Sequence, residues 1–356
     1  MKSPFTFVAL VLALASGPLM AESAARPIDW FFIPFPIHTP ETGWALTLSA
    51  IASGRLGDTP PSSAIVSLAW SERDQKSISF DPTIYLSEDW LISGRIAVED
   101  WPTDYFGIGN ETDIDDQETF TARNLEFEAD ISHRVSEHGW LGPTMVVRDY
   151  TLSDVGAGSL LAADSPRGVE GGAVVGIGAV TRYDSREDVF APRSGLLLNV
   201  SATFHDSAVG SDFDFQRYTL DARQYLTIRP DWVLVLTQYG AITRGDVPFQ
   251  ELALIGDSSP PARLRGHITG RFRDNDAAIM QAELRYPLYR RLSGVAFAGV
   301  GDVAARLTDL RAADMKWSAG LGLRFRATQA ERINLRLDAG IAEDESGIYF
   351  ALMEAF

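Results

Sequence analysis

The side chains that could carry catalysis are sparse in this chain. Nucleophilic catalysis needs a serine or cysteine beside a histidine that a third group orients. The chain has no cysteine, which excludes thiol chemistry, disulfides, zinc–cysteine sites and iron–sulfur centres. None of the histidines lies in a recognisable nucleophile motif, and the two that bracket a tight turn, at 133 and 138, lack an evident third metal ligand. The five are His38, His133, His138, His205 and His267. We therefore expect neither an enzyme nor a bound metal or cofactor.

The elements that must position any site alternate between apolar and polar residues. From 315 to 326, apolar side chains fall on one face and Lys, Ser, Gly or Arg on the other. The next run does the same, with Leu335 and Leu337 opposing Arg336 and Asp338. This period of two is typical of strands whose two faces meet different surroundings. No stretch of helical period stands out after the N-terminal run, so the sequence predicts an all-β protein.

Sixteen such runs are present, and the connections between them alternate in length. The long connections are 101–118, 151–170, 245–275 and 303–313. Bacterial outer-membrane barrels have short periplasmic turns and long external loops. We therefore expect a transmembrane antiparallel β-barrel of about sixteen strands in the outer membrane, with both termini periplasmic. The predicted strands are 28–37, 43–53, 62–72, 77–87, 90–100, 119–133, 139–150, 171–183, 195–206, 213–228, 232–244, 276–288, 292–302, 314–326, 331–341 and 347–356.

The last predicted strand helps to distinguish a membrane barrel from a soluble β-sandwich, which would alternate in the same way. It ends on Phe356, in phase with Phe350 and Leu352. A terminal Phe of this kind is frequent in outer-membrane barrels, and we expect these three residues to form a C-terminal insertion signal. Glu354 falls on the same face and departs from the usual apolar residue. A closed barrel is favoured because an open sheet edge cannot exist in lipid.

Residues 1–21 have the pattern of a signal peptide. Lys2 supplies a positive start, the apolar run 5–15 follows, and Ala21 is a small residue suited to cleavage. The run is too short to cross a bilayer as a helix. We expect residues 22–356 to form a single barrel domain after export. The chain has 31 basic and 48 acidic residues, a net charge of −17, which argues against a nucleic-acid partner.

Four segments, in a fixed order, carry a family resemblance. The longest loop contains the signature Leu264, Arg265, Gly266 and His267, followed by Gly-Arg and Arg-Asp pairs. A predicted turn has the pattern D-x-R…F-x-P-x-x-G, with Asp184, Arg186, Pro192 and Gly195. Segments 106–110 and 281–288 accompany them. Together they resemble the BamA/TamA superfamily of outer-membrane assembly and secretion barrels, over nearly the whole predicted mature chain.

The resemblance implies that the long loop folds back into the barrel and that Arg265 meets acidic groups on the inner wall. Such an ion pair, a lumen lock, would hold the loop in place. Glu283 is well placed to receive Arg265, since a buried guanidinium needs a charged or bidentate partner. The second acid of the family lies in an F-x-D-x-G pattern, where this chain has Gly299. We therefore expect an incomplete lock or one carried by Glu283 alone. The alternative is a solvated loop arginine.

The resemblance implies a role in outer-membrane biogenesis, through insertion or translocation of proteins or lipids. Assembly members carry periplasmic POTRA domains, and since the first predicted strand begins at residue 28, we expect a member without them. A passive channel or a purely structural barrel is the alternative. A polar lumen would let ions pass, whereas a loop folded into the lumen would obstruct them. Expected partners are outer-membrane lipids, the insertion machinery for the chain's own assembly, and a protein or lipid substrate. Self-association is left open.

Overall fold

The computed structural model describes residues 28–39, 42–54, 59, 62–156, 158–256, 261–326 and 334–356. The predicted signal peptide, 1–21, lies outside the described residues, as do the first three residues of the predicted strand 331–341. Nearly all regular structure in these ranges is β, as the alternation predicts.

Sixteen antiparallel strands of the described chain close into a barrel, which confirms the predicted architecture and strand count. Each strand pairs with its neighbour in the chain, except that β11 pairs with β14 because β12 and β13 form a separate two-stranded sheet. The barrel strands are β1 (Ile28–Thr39), β2 (Gly43–Gly54), β3 (Ser62–Ser71), β4 (Lys76–Tyr85), β5 (Trp90–Tyr105), β6 (Glu118–Arg134), β7 (Gly139–Ser153), β8 (Gly172–Asp184), β9 (Gly195–His205), β10 (Phe215–Arg229), β11 (Trp232–Gly245), β14 (Asp276–Tyr289), β15 (Leu292–Ala304), β16 (Lys316–Arg326), β17 (Asn334–Ala342) and β18 (Ser346–Leu352). The separate strands are β12 (Ala253–Ile255) and β13 (Phe272–Asp274).

The two faces of the strands meet different surroundings. On β17, Leu337 lies on the outer surface, whereas Arg336 and Asp338 are buried inside the barrel. On β16, Leu321 is 65% exposed and Arg324 only 1%. An apolar outer band around a polar interior is the pattern of a transmembrane β-barrel. The predicted parity of these two strands is therefore confirmed.

The connections at the two ends of the barrel differ in length. At one end, the turn end, β1 begins, β18 ends, and tight turns such as 230–231 and 290–291 join the strands. At the other end, the loop end, the connections 106–117, 154–171 and 246–275 are long. The connections that the sequence predicted to be long are long, but the strict alternation is wrong: 72–75 and 343–345 at the loop end are short, and 185–194 at the turn end spans ten residues.

The connection 246–275, called the lumen loop, runs from the loop end into the barrel. Its apolar side chains Ile255, Leu264 and Phe272 pack against the inner-wall residues Ile279 and Val303. The loop therefore fills part of the lumen instead of extending into solvent.

A short helix, α1 (Leu160–Asp164), lies in the connection between β7 and β8. Its Leu161 is fully buried and packs in a cluster with Phe249 of the lumen loop. At five residues, α1 is too short to show a helical period in the sequence. No helix in the described ranges is both long and apolar enough to span a bilayer.

The contact between β1 and β18 is much shorter than the other strand contacts. Among the described residues, His38 and Phe350 are the one pair in register across this seam. By contrast, β1 pairs with β2 along all 12 of its residues. The His38 ring nitrogen Nδ1 lies 2.9 Å from the carbonyl oxygen of Ile348. The barrel is thus closed by a narrow junction at the seam.

Candidate functional site

The loop signature has a backbone conformation that brings it against β17. Leu264 and Gly266 have φ angles of 56° and 128°, in the region that only glycine adopts without strain. A Cβ atom on Gly266 would lie 2.9 Å from the carbonyl oxygen of Ile341. A Cβ atom on Gly340 would lie 2.9 Å from the carbonyl oxygen of Arg265. Two facing glycines therefore allow the lumen loop to touch the strand directly.

Arg265 is fully buried in the lumen between two carboxylates and two aromatic rings. Its Nη2 atom lies 2.6 Å from Oε2 of Glu283 on β14, and its Nη1 atom forms an ion pair with Asp338 on β17. The guanidinium carbon lies 3.8 Å from the ring centroid of Phe297 and 5.1 Å from that of Phe356. Carboxylates and aromatic faces both stabilise a desolvated cation. The structure thus brings the predicted Arg265 and Glu283 into contact.

The second acidic partner comes from β17, which corrects the expectation of an incomplete ion pair or one carried by Glu283 alone. Asp338 lies on the polar face of its strand and is fully buried. The position where the family pattern has an Asp, Gly299, instead makes room for the loop. A Cβ atom on Gly299 would lie 2.7 Å from Cδ2 of Leu264, so a larger residue there would require the signature's Leu264 side chain to shift.

The ion pairs continue from Arg265 toward the turn end. Nε of Arg285 lies 2.8 Å from Oε1 of Glu283. Nε of Arg324 lies 2.8 Å from Oε2 of Glu354, and Arg324 also pairs with Asp338. Each of these three carboxylates contacts at least two guanidinium groups, counting ion pairs of up to 4.0 Å. Such multiple pairing offsets the large free-energy cost of burying charge.

The C-terminal residues leave the strand register and enter the lumen. Met353 has φ 67° and reverses the alternation of inward and outward side chains. Glu354 and Phe356 therefore lie inside the barrel, although the sequence pattern placed them on one face with Phe350 and Leu352. Phe356 packs in a cluster with Tyr225, Val233, Val235, Ala262 and Ala355.

Phe350 and Leu352 keep the outward parity of β18, although Leu352 is buried. Phe350 is in register with Leu337 of β17, and Leu352 packs against Phe35 of β1. The three predicted residues of the insertion signal are thus divided between the outer face and the lumen. Their part in insertion stays a prediction.

The predicted turn motif connects β8 to β9 at the turn end. Arg186 donates to both carboxylate oxygens of Asp184, at 2.9 and 2.7 Å. Gly195 has φ 104°, and a Cβ atom there would lie 2.3 Å from the carbonyl oxygen of Ser185. The carbonyl oxygen of Pro192 accepts a hydrogen bond of 3.4 Å from Nη1 of Arg285. The motif therefore shapes the turn and also contacts the ion-pair network.

His267 attaches the signature to the loop end of the barrel. Its Nδ1 atom lies 2.6 Å from Oε2 of Glu345, and its Nε2 atom lies 3.2 Å from the carbonyl oxygen of Trp317. The neighbouring backbone N–H of Gly266 donates to the hydroxyl of Tyr349 at 2.8 Å. The residues of the signature are therefore held by groups from several strands.

A second anchor of the lumen loop, Glu251, could not be identified from the sequence. Its carboxylate lies 3.2 Å from Nη1 of Arg148, 3.0 Å from Nη1 of Arg217 and 2.8 Å from the hydroxyl of Tyr150. Burial would raise the pKa of Glu251, but the two guanidiniums outweigh burial and hold the pKa at about 2. The loop is therefore attached through an anion at this anchor and through a cation at Arg265.

The lumen site as a whole holds the lumen loop against the barrel wall through ion pairs and hydrogen bonds. Among the residues that the structure describes, no group of three His, Cys, Asp or Glu side chains could hold a metal ion. The histidines at the turn end pack against aromatic rings, His133 on Trp90 and His138 on Tyr183. The arrangement therefore retains the lumen loop as a plug inside the barrel.

Comparison with known proteins gives the same architecture. The Omp85 superfamily domain matches residues 63–352. The crystal structure of BamA from Haemophilus ducreyi lacking POTRA domains 1–3 is similar, with a TM-score of 0.61 and 16% identity over 92% of this chain and 70% of that chain. CdiB from Acinetobacter baumannii is also similar, with a TM-score of 0.60 and 12% identity over 93% of this chain and 60% of that chain.

At these identities the two structures establish the fold alone. No curated protein matches the sequence. The family match covers most of the chain and includes the turn motif, the loop signature and Glu283. Barrels of this family are outer-membrane proteins. The chain belongs to the Omp85 superfamily.

Proposed function

We propose that this protein inserts or translocates polypeptides or lipids at the outer membrane. The observation that carries the proposal is the seam, where β1 and β18 share one pair in register, His38 and Phe350. Separating this pair breaks far fewer ladder hydrogen bonds than separating β1 from β2. An opening at the seam would connect the lumen with lipid and present two strand edges, which can pair with an incoming strand.

A passive channel is the second candidate, and the lumen loop argues against it. Glu251 and Arg265 attach the loop to wall residues on four different strands. An ion crossing the barrel would have to pass this attached segment. In planar bilayers we expect the native protein to conduct little, whereas Arg265→Ala combined with Glu251→Ala should conduct more. A large, steady conductance of the native protein would favour the channel.

The orientation belongs to the same proposal. We infer that residues 1–21 are removed on export, that the turn end faces the periplasm and that the loop end faces outward. The difference in connection length between the two ends supports this orientation, because outer-membrane barrels keep their short turns in the periplasm. Outer-membrane lipids and the insertion machinery would then be partners of the chain during its own assembly.

A disulfide across the seam tests the proposed function. The chain has no cysteine of its own, so His38→Cys with Phe350→Cys gives a single pair. Residues in register on antiparallel strands have Cβ atoms about 4.5–5.5 Å apart, close enough to cross-link with small backbone shifts. In liposomes, the reduced variant should speed the insertion of an unfolded outer-membrane barrel protein relative to empty liposomes. Oxidation should abolish the acceleration, and a reductant should restore it.

A cross-link elsewhere in the wall provides the control. The hydroxyl oxygens of Ser49 on β2 and Ser67 on β3 lie 2.8 Å apart, so Ser49→Cys with Ser67→Cys should also cross-link. This variant should accelerate insertion in both redox states. The proposal fails if the oxidised seam variant inserts the unfolded barrel protein as fast as its reduced form does. It also fails if neither form accelerates insertion.

A further inference from the structure

A cavity opens at the turn end of the lumen, beside the ion-pair network. Its volume is about 260 Å³, and Val233 and Pro287 form apolar parts of its wall. Five guanidiniums line it, those of Arg193, Arg285, Arg290, Arg324 and Arg326. The carboxylates on its wall are those of Asp231 and Glu354. The cavity therefore carries an excess of positive charge.

The two carboxylates are already paired. Asp231 lies 2.9 Å from Nη2 of Arg193, and Glu354 lies 2.8 Å from Nε of Arg324. Arg290 and Arg326 have no acidic partner within 4.0 Å in the part of the chain that the structure describes. Two guanidiniums at the cavity rim are thus available to an added anion.

Arg285 lines the cavity with a guanidinium that leaves one nitrogen without a partner among the described residues. Its side chain is nine-tenths buried, Nε is bonded to Glu283, and Nη1 reaches the carbonyl oxygen of Pro192. Its Nη2 atom is buried with no hydrogen-bond partner among the described residues. A buried N–H group without a partner is unfavourable, so the Arg285 guanidinium on the cavity wall has unused hydrogen-bonding capacity.

We propose that this cavity binds a carboxylate of a polypeptide segment that enters the lumen from the turn end. A planar guanidinium matches a carboxylate in two parallel hydrogen bonds. The apolar wall at Val233 and Pro287 suits the aliphatic stem of an acidic side chain. A lipid headgroup fits less well, since the cavity lies inside the barrel and away from the apolar outer face. The inference rests on the proposed function and specifies that the polypeptide entering the lumen carries an acidic segment.

Titration calorimetry on the full-length protein in non-ionic detergent at low salt tests the assignment. The probes are the capped peptide Gly-Glu-Glu-Gly and its matched form Gly-Gln-Gln-Gly. We expect the glutamate peptide to bind about tenfold more tightly or better, which corresponds to about 1.4 kcal/mol. Arg290→Gln with Arg326→Gln should remove most of this preference, and added salt should weaken it.

Arg229→Gln with Arg291→Gln is the matched control, because it removes the same charge at the same end of the barrel without changing the cavity wall. The assignment is overturned if both peptides bind equally, or if the control loses as much affinity as the cavity variant. It is also overturned if inorganic phosphate displaces the glutamate peptide at lower concentration than acetate does, which would assign the cavity to a phosphorylated ligand.

The cross-linked seam variant should still bind the peptide. A failure of the seam to insert a barrel protein and a failure of this cavity to bind the peptide are therefore distinguishable.

Discussion

Arg265 of the lumen loop and Asp338 of β17 form an ion pair in which both side chains are fully buried. Glu283 contacts the same guanidinium from β14, and β15 and β16 separate these two strands in the wall. The cation therefore joins two distant parts of the barrel through the loop. Its removal would leave two buried carboxylates with fewer positive neighbours.

We expect Arg265→Met to lower the free energy of unfolding by about 3–5 kcal/mol, since the change keeps the side-chain volume but breaks a buried ion pair. Urea unfolding in lipid vesicles, followed by the heat-modifiable gel band, measures this loss. Arg123→Met is the control, because the Arg123–Asp100 pair at 3.3 Å is largely exposed and should contribute about 0–1 kcal/mol. If both variants lose the same free energy of unfolding, burial does not strengthen the Arg265 ion pair.

Gly340→Ala should displace the signature from β17. The new methyl group would lie 2.9 Å from the carbonyl oxygen of Arg265, and overpacking of this kind costs about 1–3 kcal/mol. Limited proteolysis should then cut the lumen loop faster than in the native protein. Gly240→Ala is the matched change, since its methyl group would have no neighbour closer than 3.9 Å. If Gly240→Ala and Gly340→Ala give the same cleavage rate, the close approach at Gly340 is not what limits the loop.

Acid should release the anchor at Glu251. Arg148 and Arg217 depress the pKa of this carboxyl from 4.5 to about 2 in spite of burial, so its contribution to stability is fully present above about pH 4.5 and is lost as the pH falls toward 2. Pepsin, which is active across this range, should cut residues 246–256 increasingly as the pH falls. Cleavage of the rim connection 206–214 in the same digest corrects for the pH-dependence of pepsin. In Glu251→Gln, cleavage at 246–256 should be high throughout, and a pH-dependence unchanged from native would contradict the assignment.

Leu321 lies at the centre of β16 on the outer face. Leu321→Arg should lower the free energy of unfolding by about 2–4 kcal/mol, because the charge would lie near the middle of the bilayer. Leu288 lies near the end of β14 at the turn end, where the cost of an arginine falls to about 0–1 kcal/mol. Unfolding in vesicles compares the two variants. A larger loss for Leu288→Arg would place the membrane elsewhere on the barrel.

The orientation can be read from surface labelling of intact cells. A cysteine at Asp115, exposed in the connection 106–117, should react with a maleimide that cannot cross the membrane. A cysteine at Asp89, exposed in the turn between β4 and β5, should react only after the outer membrane is permeabilised. Labelling in the opposite order would invert the barrel.

The sequence predicted the wall of the barrel well because lipid and lumen impose a strict parity on every strand. The predicted strand 213–228 corresponds to Phe215–Arg229, and 292–302 to Leu292–Ala304. A spacing of two residues also identifies which side chains face inward, and Glu283 and Asp338 both followed from it. The spacing of two residues does not predict which inward side chains contact each other, because those contacts depend on where the lumen loop lies.

The residues that the sequence placed incorrectly lie where this parity ends. One left-handed residue, Met353, turns Glu354 and Phe356 into the lumen, and nothing in the pattern marks a methionine for that conformation. Glu251 ends a single turn of 3-10 helix outside the wall strands, so no strand period assigns its side chain a direction. Its partners Arg148 and Arg217 lie on the wall strands β7 and β10, where a period of two assigns each side chain a face, but no such period indicates the acid that neutralises them.

The two anchors of the lumen loop make its docking a late event in assembly. Arg265 needs Asp338, which lies 73 residues further along the chain, and Glu251 needs Arg148, which lies 103 residues earlier. Closing such long segments carries an entropic cost, so we expect these contacts to form after the intervening strands are in place. A chain that lacks its last hairpin cannot supply Asp338, so its loop stays open to proteases. A lumen loop attached at both anchors is therefore expected only in a completed barrel.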